Sequence, residues 1–476
     1  MTVPAGGPDQ LGSLWRRALR IEVGLSREGA LLISLVALNL ALVSNSGYVG
    51  YLALAGMGLC LAMLLIARRQ PGGRPSQWLW FAVVASLGLA MLATKFGGWP
   101  RGWPLALPMV SAVAAAAMAW RGHRRAALGV GAVGALAFLG VCWRWDPSEI
   151  DVLFGMRSAG HALLGLRNPY LPTHPSTTLG AAHLVHFTYG PVVAIGSALG
   201  LLFGDPRVIS ALAAAALAWA LLRLSQDRGQ GWWLALSVCT APLISAMIIY
   251  AWPLLWTCAL TAWWLVLRER HLRLGVAVLA LSLGCALVQM GPLLLVFLLR
   301  QRRMAREIVV AGCLALALVA AFAWWTGFAH FWYYTIGIHF SEARSRGAIS
   351  LEGIVTLLGH HSLPGFLGVA AALLAIAYVV LRPRPGLSGL MMDGTLVTLV
   401  AMFFARLAFI NYYFVAATTI WLAVAMAEPL RAGGLATGST PAKEQAGSAL
   451  VRVGAAQPAT LGLGAGARGR ARAASG

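Results

Sequence analysis

Asp146, Glu149 and Asp151 crowd into one short stretch of a chain that has only 15 acidic residues among 476. They follow directly on an apolar run and open the segment EIDVLFGMRSAGHALLGLRNPYLP (149–172). A carboxylate placed there can serve either of two ends. Ser148 followed three residues later by Asp151 resembles a capping box, with the acid at the favourable end of the helix dipole. Equally, a carboxylate at the rim of an apolar region can do acid–base chemistry. Other reactive side chains gather nearby or in a second polar stretch. Of the 10 histidines, His161, His174, His183, His186, His330, His339, His360 and His361 fall in these two segments. Glu342, Arg344 and Arg346 lie in HFSEARSRGAISLEG (339–353), and Arg406 stands at the end of an apolar run.

The elements that carry these residues follow from composition. The chain is 59% hydrophobic and 11% charged, where a soluble domain is about 25% charged. Apolar runs near the roughly 20 residues needed to cross a bilayer recur throughout, and the short alternating strands of a barrel are absent. The expectation is an all-α polytopic membrane protein with about fourteen spans, or twelve to fourteen. The net charge of +21 is not read as a nucleic-acid surface. Its Lys and Arg sit in short clusters between spans and in the tails, as positive-inside topology predicts. The six cysteines all lie in apolar runs without a C-x-x-C, which suggests packing residues and neither disulfides nor a thiolate metal site.

Charge places residues 1–29 in the cytoplasm, with the first apolar run as a retained span. Early spans are expected at 30–46, 49–67, 78–95, 104–120 and 126–143, so that 144–206 and 327–363 become outer loops. Within the first loop, 187–206 is read as an interfacial segment. A spanning assignment would put every later basic loop outside. By the same argument 274–299 breaks at QMGP (289–292) into two short helices, with Pro292 supplying the break. Further spans are read at 308–326, 364–381, 390–406 and 407–427, and 428–476 as a disordered, basic, cytoplasmic tail. No acid lies convincingly at mid-membrane, Asp393 coming closest. This counts against a proton- or ion-coupled carrier.

After Asp151 the stripe Val152, Met156, Ala159, Leu163 and Leu166 predicts an amphipathic surface helix, ended by Gly165 and Asn168–Pro169. Next come G-x-x-N-P-Y (Gly165, Asn168, Pro169, Tyr170) and F-x-Y-x-P (Phe187, Tyr189, Pro191). This order resembles the first outer loop of GT-C superfamily glycosyltransferases. It is most similar to the bacterial polyprenyl-phosphate-mannose-dependent mannosyltransferases. R-x-x-x-x-N-Y-Y (Arg406, Asn411, Tyr412, Tyr413) before the last span adds a weaker likeness. Relatives usually show a double proline where this chain has Gly190–Pro191, and the spans of 30–125 are additional to the usual core, here 126–427.

The resemblance implies an inverting transfer of a sugar, a mannose-like hexose or a pentose, from a polyprenyl-phosphate donor to a lipid, glycan or protein acceptor. It places the reaction on the outer face of a bacterial inner membrane, with Asp151 as the catalytic base. Such a base deprotonates the acceptor hydroxyl while a fixed guanidinium stabilises the departing phosphate. Arg406 is the first candidate for that anchor, the other reading being snorkelling to headgroups. Arg344 and Arg346 are auxiliary candidates or solvated loop charges, and Glu342 stands at ion-pair spacing from Arg346. His161 is expected on a flank of the Asp151 helix. Asn168, Tyr170, Tyr189 and Tyr412 are candidate substrate contacts, although aromatic residues here also suit a membrane-interface belt. No metal or other cofactor is expected. A divalent cation has no H-E-x-x-H or comparable motif behind it. The alternative reading is a carrier or flippase for a lipid-linked or amphipathic substrate, with membrane lipids as the common partner.

Overall fold

The structure, a computed structural model, describes residues 25–43, 51–93, 103–143, 151–175, 184–225, 229–268, 272–286, 297–337, 350–358, 366–382, 386–404 and 410–427. All of these belong to one unit. The residues expected as additional N-terminal spans and those expected as core thus share a single unit.

Helices dominate because the apolar runs are rich in Ala and Leu, strong helix formers. A helix also pairs its own backbone groups in an apolar medium. The first five are α1 (Arg27–Val43), α2 (Tyr51–Ala67), α3 (Gln77–Ala90), α4 (Trp103–Trp120) and α5 (Arg124–Trp143). Then come α6 (Asp151–Leu164), an antiparallel pair β1 (Thr173–Pro175) and β2 (Leu184–His186), and α7 (Pro191–Leu202). The middle of the chain forms α8 (Arg207–Leu224), α9 (Gly231–Thr240), α10 (Pro242–Ile249), α11 (Leu254–Arg268) and α12 (Leu272–Ala286). The 25-residue α13 (Arg302–Thr326) leads into α14 (Phe328–Trp332) and a π-helical turn, Tyr333–Gly337. After α15 (Leu351–Leu357) the unit closes with α16 (Phe366–Leu381), α17 (Gly386–Phe404) and α18 (Ile410–Ala425). Proline punctuates as its geometry dictates. Pro191 opens α7, and Pro242 separates α9 from α10, which meet at a bend of 54°.

The core centres on α1, where Leu31, Leu32, Leu35, Leu38 and Leu42 are all fully buried. It packs against α2, α3, α10 and α18. Small residues let the backbones approach, as is usual where both solvent and protein are apolar. A Cβ on Gly56 of α2 would lie 2.8 Å from the Ala37 carbonyl oxygen of α1. Buried hydroxyls join neighbouring helices. Thr395 of α17 donates to Thr419 of α18 at 2.8 Å, and Thr261 of α11 meets Ser282 of α12 at 2.8 Å.

The two ends of the bundle differ. At the basic end Asp393 of α17, fully buried, pairs with buried Arg68 after α2, and Arg300 approaches its other oxygen at 3.8 Å. Arg68 also donates to the Arg382 carbonyl at 2.9 Å. Glu307 of α13 accepts from Trp264 at 2.9 Å and Arg268 at 3.2 Å. The other end, called here the loop end, carries α6, α7 and α14. α13 runs between the two.

Among the described residues, four helices are long and apolar enough to cross a bilayer: α5, α8, α13 and α17. The bent pair α9–α10 makes a fifth. The remaining apolar helices are shorter, 10–17 residues, so helix length does not establish the expected fourteen crossings. The four early spans other than α5 each end against residues outside the description. α7 has 12 residues, about 18 Å at the helical rise, short of a hydrocarbon core of about 30 Å. Its length therefore suits the interfacial position expected of 187–206. The break expected at 289–292 lies outside the described residues. α12 continues as one helix to Ala286, where Gly284 meets α7, and Phe297 and Arg300 lie beside α17 at the basic end.

Candidate functional site

Asp151 lies on α6. The Asp151 carboxylate, like Ser148, Arg344, Arg346, Arg406 and the Asn411 side chain, lies outside what the structure describes. The buried face of α6 consists of Leu153, Met156, Ala159 and Ala162. That corrects the expected stripe at one end, because Leu166 is 85% exposed. The reason is the helix terminus. Gly165 N–H bonds to the His161 carbonyl at 3.1 Å and Arg167 N–H to the Ala162 carbonyl at 2.7 Å. This is the hydrogen-bond pattern that ends a helix through a left-handed residue. That residue is Leu166, with φ 54°, and Gly165 precedes it. His161 is exposed in the last turn.

The motif residues after α6 form a clamp. The Asn168 side-chain oxygen accepts from Tyr170 N–H at 2.9 Å, closing an Asx turn. Its amide donates to the Thr326 carbonyl, 2.6 Å away at the end of α13. Tyr170 is fully buried and donates its hydroxyl to the Tyr189 carbonyl at 2.9 Å. Burial pushes the Tyr170 pKa up, so the phenol remains a donor. Its ring meets Phe187 at 5.6 Å, Phe331 at 5.5 Å and Phe322 at 6.2 Å. His186 stacks on Tyr334 of the π-helical turn at 4.0 Å, and its Nδ1–H donates to the Tyr170 carbonyl at 3.2 Å. A carbonyl can only accept, which fixes the proton on that nitrogen. Tyr170 and Tyr189, candidates for substrate contact, are thus both buried in the joint between the first loop and the α13–α14 segment. Of the aromatic run 330–334, Phe331 enters this joint, whereas Trp332 and Tyr333 stay exposed as interface-belt residues would.

Gly190, just before the proline that opens α7, has a steric reason. A Cβ there would lie 2.7 Å from the Gly284 carbonyl oxygen of α12. Either alanine or proline would force the α7–α12 contact apart. Gly160 of α6 similarly faces the α7 backbone, with a Cβ 3.0 Å from Ser197 C and 3.1 Å from Ala198 N.

A buried ion cluster, which sequence reasoning missed, holds α6 from below. Asp205, in the α7–α8 turn, accepts from Arg207 N–H (2.8 Å), Nε (3.0 Å) and Nη2 (2.9 Å) and from Arg157 Nη2 (2.7 Å). Arg207 also donates to the Trp143 carbonyl at 3.1 Å and stacks over the Trp143 ring at 4.6 Å. Burial works to raise the Asp205 pKa. The hydrogen bonds from Arg207 and Arg157 outweigh it and hold the carboxyl below its ordinary value. The available signal was Gly204-Asp205-Pro206-Arg207, an acid two residues before an arginine in a turn, together with Arg157 inside an apolar helix.

Tyr412 is half-buried against the core beside fully buried Tyr413, at the loop end of α18. Among the described residues no three His, Cys, Asp or Glu lie close enough together to hold a metal ion. No family model, curated protein or solved structure matches the chain.

Proposed function

We propose that the chain is a membrane-integral inverting glycosyltransferase. It moves a mannose-like hexose or a pentose from a polyprenyl-phosphate donor to a lipid, glycan or protein acceptor. The supporting observation is that Asp151 lies on α6, a helix packed on α7 and pinned through Asp205. The loop that follows is clamped to the end of α13. A base needs such fixed placement, because effective molarity falls steeply with misalignment. In this reading Asp151 removes the acceptor hydroxyl proton as the oxygen attacks the anomeric carbon in line. The bond to the phosphate oxygen breaks, and Arg406, with Arg344 or Arg346, stabilises the charge left on the phosphate. One displacement inverts the anomeric centre. The loop end faces the outside of the cell membrane.

The test is transfer by the purified chain in lipid nanodiscs, offered polyprenyl-phosphate mannose, glucose or arabinose with an octyl glycoside acceptor. Gradient-independent loss of donor with the appearance of an inverted glycoside is the expected result. The bend between α9 and α10 favours a second reading, since broken helices are common in carriers. A carrier would instead move lipid-linked sugar across sealed vesicles without any acceptor.

A further inference from the structure

The Asp205 cluster joins three segments: through Arg157 and Arg207, one buried carboxylate links α6, the α7–α8 turn and the end of α5. Arg157 belongs to α6, Asp205 and Arg207 to the α7–α8 turn, and Trp143 to the end of α5. Arg157 lies six residues beyond Asp151 on the same helix, about 9 Å at the helical rise. A shift of Arg157 is therefore carried along the helix to Asp151. Gly160 allows α6 to lie against α7, but packing of small residues alone permits sliding along the contact. The directional ion pair from Arg157 Nη2 to Asp205 Oδ2, at 2.7 Å, does not.

We propose that Asp205, acting through Arg157 and Arg207, is a positioning residue that sets where Asp151 sits. This rests on the reading of Asp151 as the catalytic base. Asp205 touches no substrate in this arrangement. It fixes the helix that carries the base, and the cost of losing it falls on the chemical step and not on donor binding.

The experiment measures geometry and turnover in the same full-length protein. Nitroxide labels at Leu164→Cys and Phe203→Cys, which are 46% and 71% exposed at the ends of α6 and α7, report the α6–α7 distance by double electron–electron resonance. A Cys313→Ser background removes the exposed native thiol. The expected result is a narrow distance distribution that broadens in Asp205→Asn. With whichever donor of the panel above the wild type consumes, kcat should fall roughly 10- to 100-fold while the donor KM changes less than about threefold. Arg157→Lys, which keeps the charge, should recover most of what Arg157→Gln loses. Should Asp205→Asn not accumulate in membranes, Arg157→Gln carries the same two measurements, because it leaves the Asp205–Arg207 pair in place. An unchanged distribution, with Asp151→Asn inactive, overturns the positioning role alone. So does a broadened distribution with wild-type kcat. Full activity of Asp151→Asn overturns the base itself, and the positioning role with it.

Discussion

Two single residues carry the sharpest local consequences. Leu166 holds φ 54° with its side chain in solvent, and a left-handed non-glycine residue costs about 1–2 kcal/mol. Leu166→Gly is expected to stabilise the protein by about 1 kcal/mol, seen as a higher midpoint of thermal unfolding with unchanged activity. Gly190 has the opposite sign. Its missing side chain leaves room for the Gly284 carbonyl, so Gly190→Ala should lower both the yield of folded protein and its thermal midpoint. Such a demand is invisible in a sequence, because the residue that makes it lies 94 positions away, at 284 against 190. Asp151 stands out in the sequence by its neighbours, and the structure shows its backbone within α6. Tyr170 and Tyr189 were legible as special too, but their types suit stacking on a ligand and packing in a core equally well. Only the hydroxyl-to-carbonyl bond between them assigns the second role.

At the scale of elements, α6 and the turn after it are held by polar contacts that titrate or can be deleted. Asn168→Ala removes both the Asx turn and the bond to the Thr326 carbonyl. At about 1 kcal/mol for each bond, a loss near 2 kcal/mol is expected. Hydrogen exchange should quicken in residues 165–175 and at the end of α13 while α8 is unaffected. Asp205 titrates the other way from a histidine switch. Its folded pKa is depressed, so its contribution is fully present above the unfolded value of about 3.9 and disappears as pH falls through the lowered one. The α6–α7 distance should therefore hold steady from neutral pH down through pH 5, loosening only in stronger acid. A change near pH 6 would contradict this. The helical period of α6 was readable in sequence, yet its far end was not. Hydrophobic spacing ran on to Leu166 although the backbone turns there.

For the whole molecule, composition and apolar run length give the helical class, and among the described residues four helices are long and apolar enough to cross a membrane. Connections between distant parts of the chain are not legible in the same way. Arg68 and Asp393 stand 325 residues apart and form a buried pair that joins the N-terminal helices to α17. Breaking such a pair by removing one partner typically costs roughly 3–5 kcal/mol. Asp393→Asn is thus expected to reduce folded protein sharply without touching the loop end. Charge statistics had singled out Asp393 as the deepest acid, but its partner could come from any basic loop. The same integration explains why residues 30–125 are no appendage: α1 is buried along most of its length, packed on α18 as well as on α2 and α3.

The measurement that bears most directly on the proposed function is sugar transfer by Asp151→Asn beside the wild type, in nanodiscs and at equal amounts of folded protein. Loss of a positioned general base should lower kcat by roughly 100- to 10,000-fold, with an unchanged thermal midpoint. Turnover equal to the wild type would contradict the account and leave Asp151 as the cap of its helix.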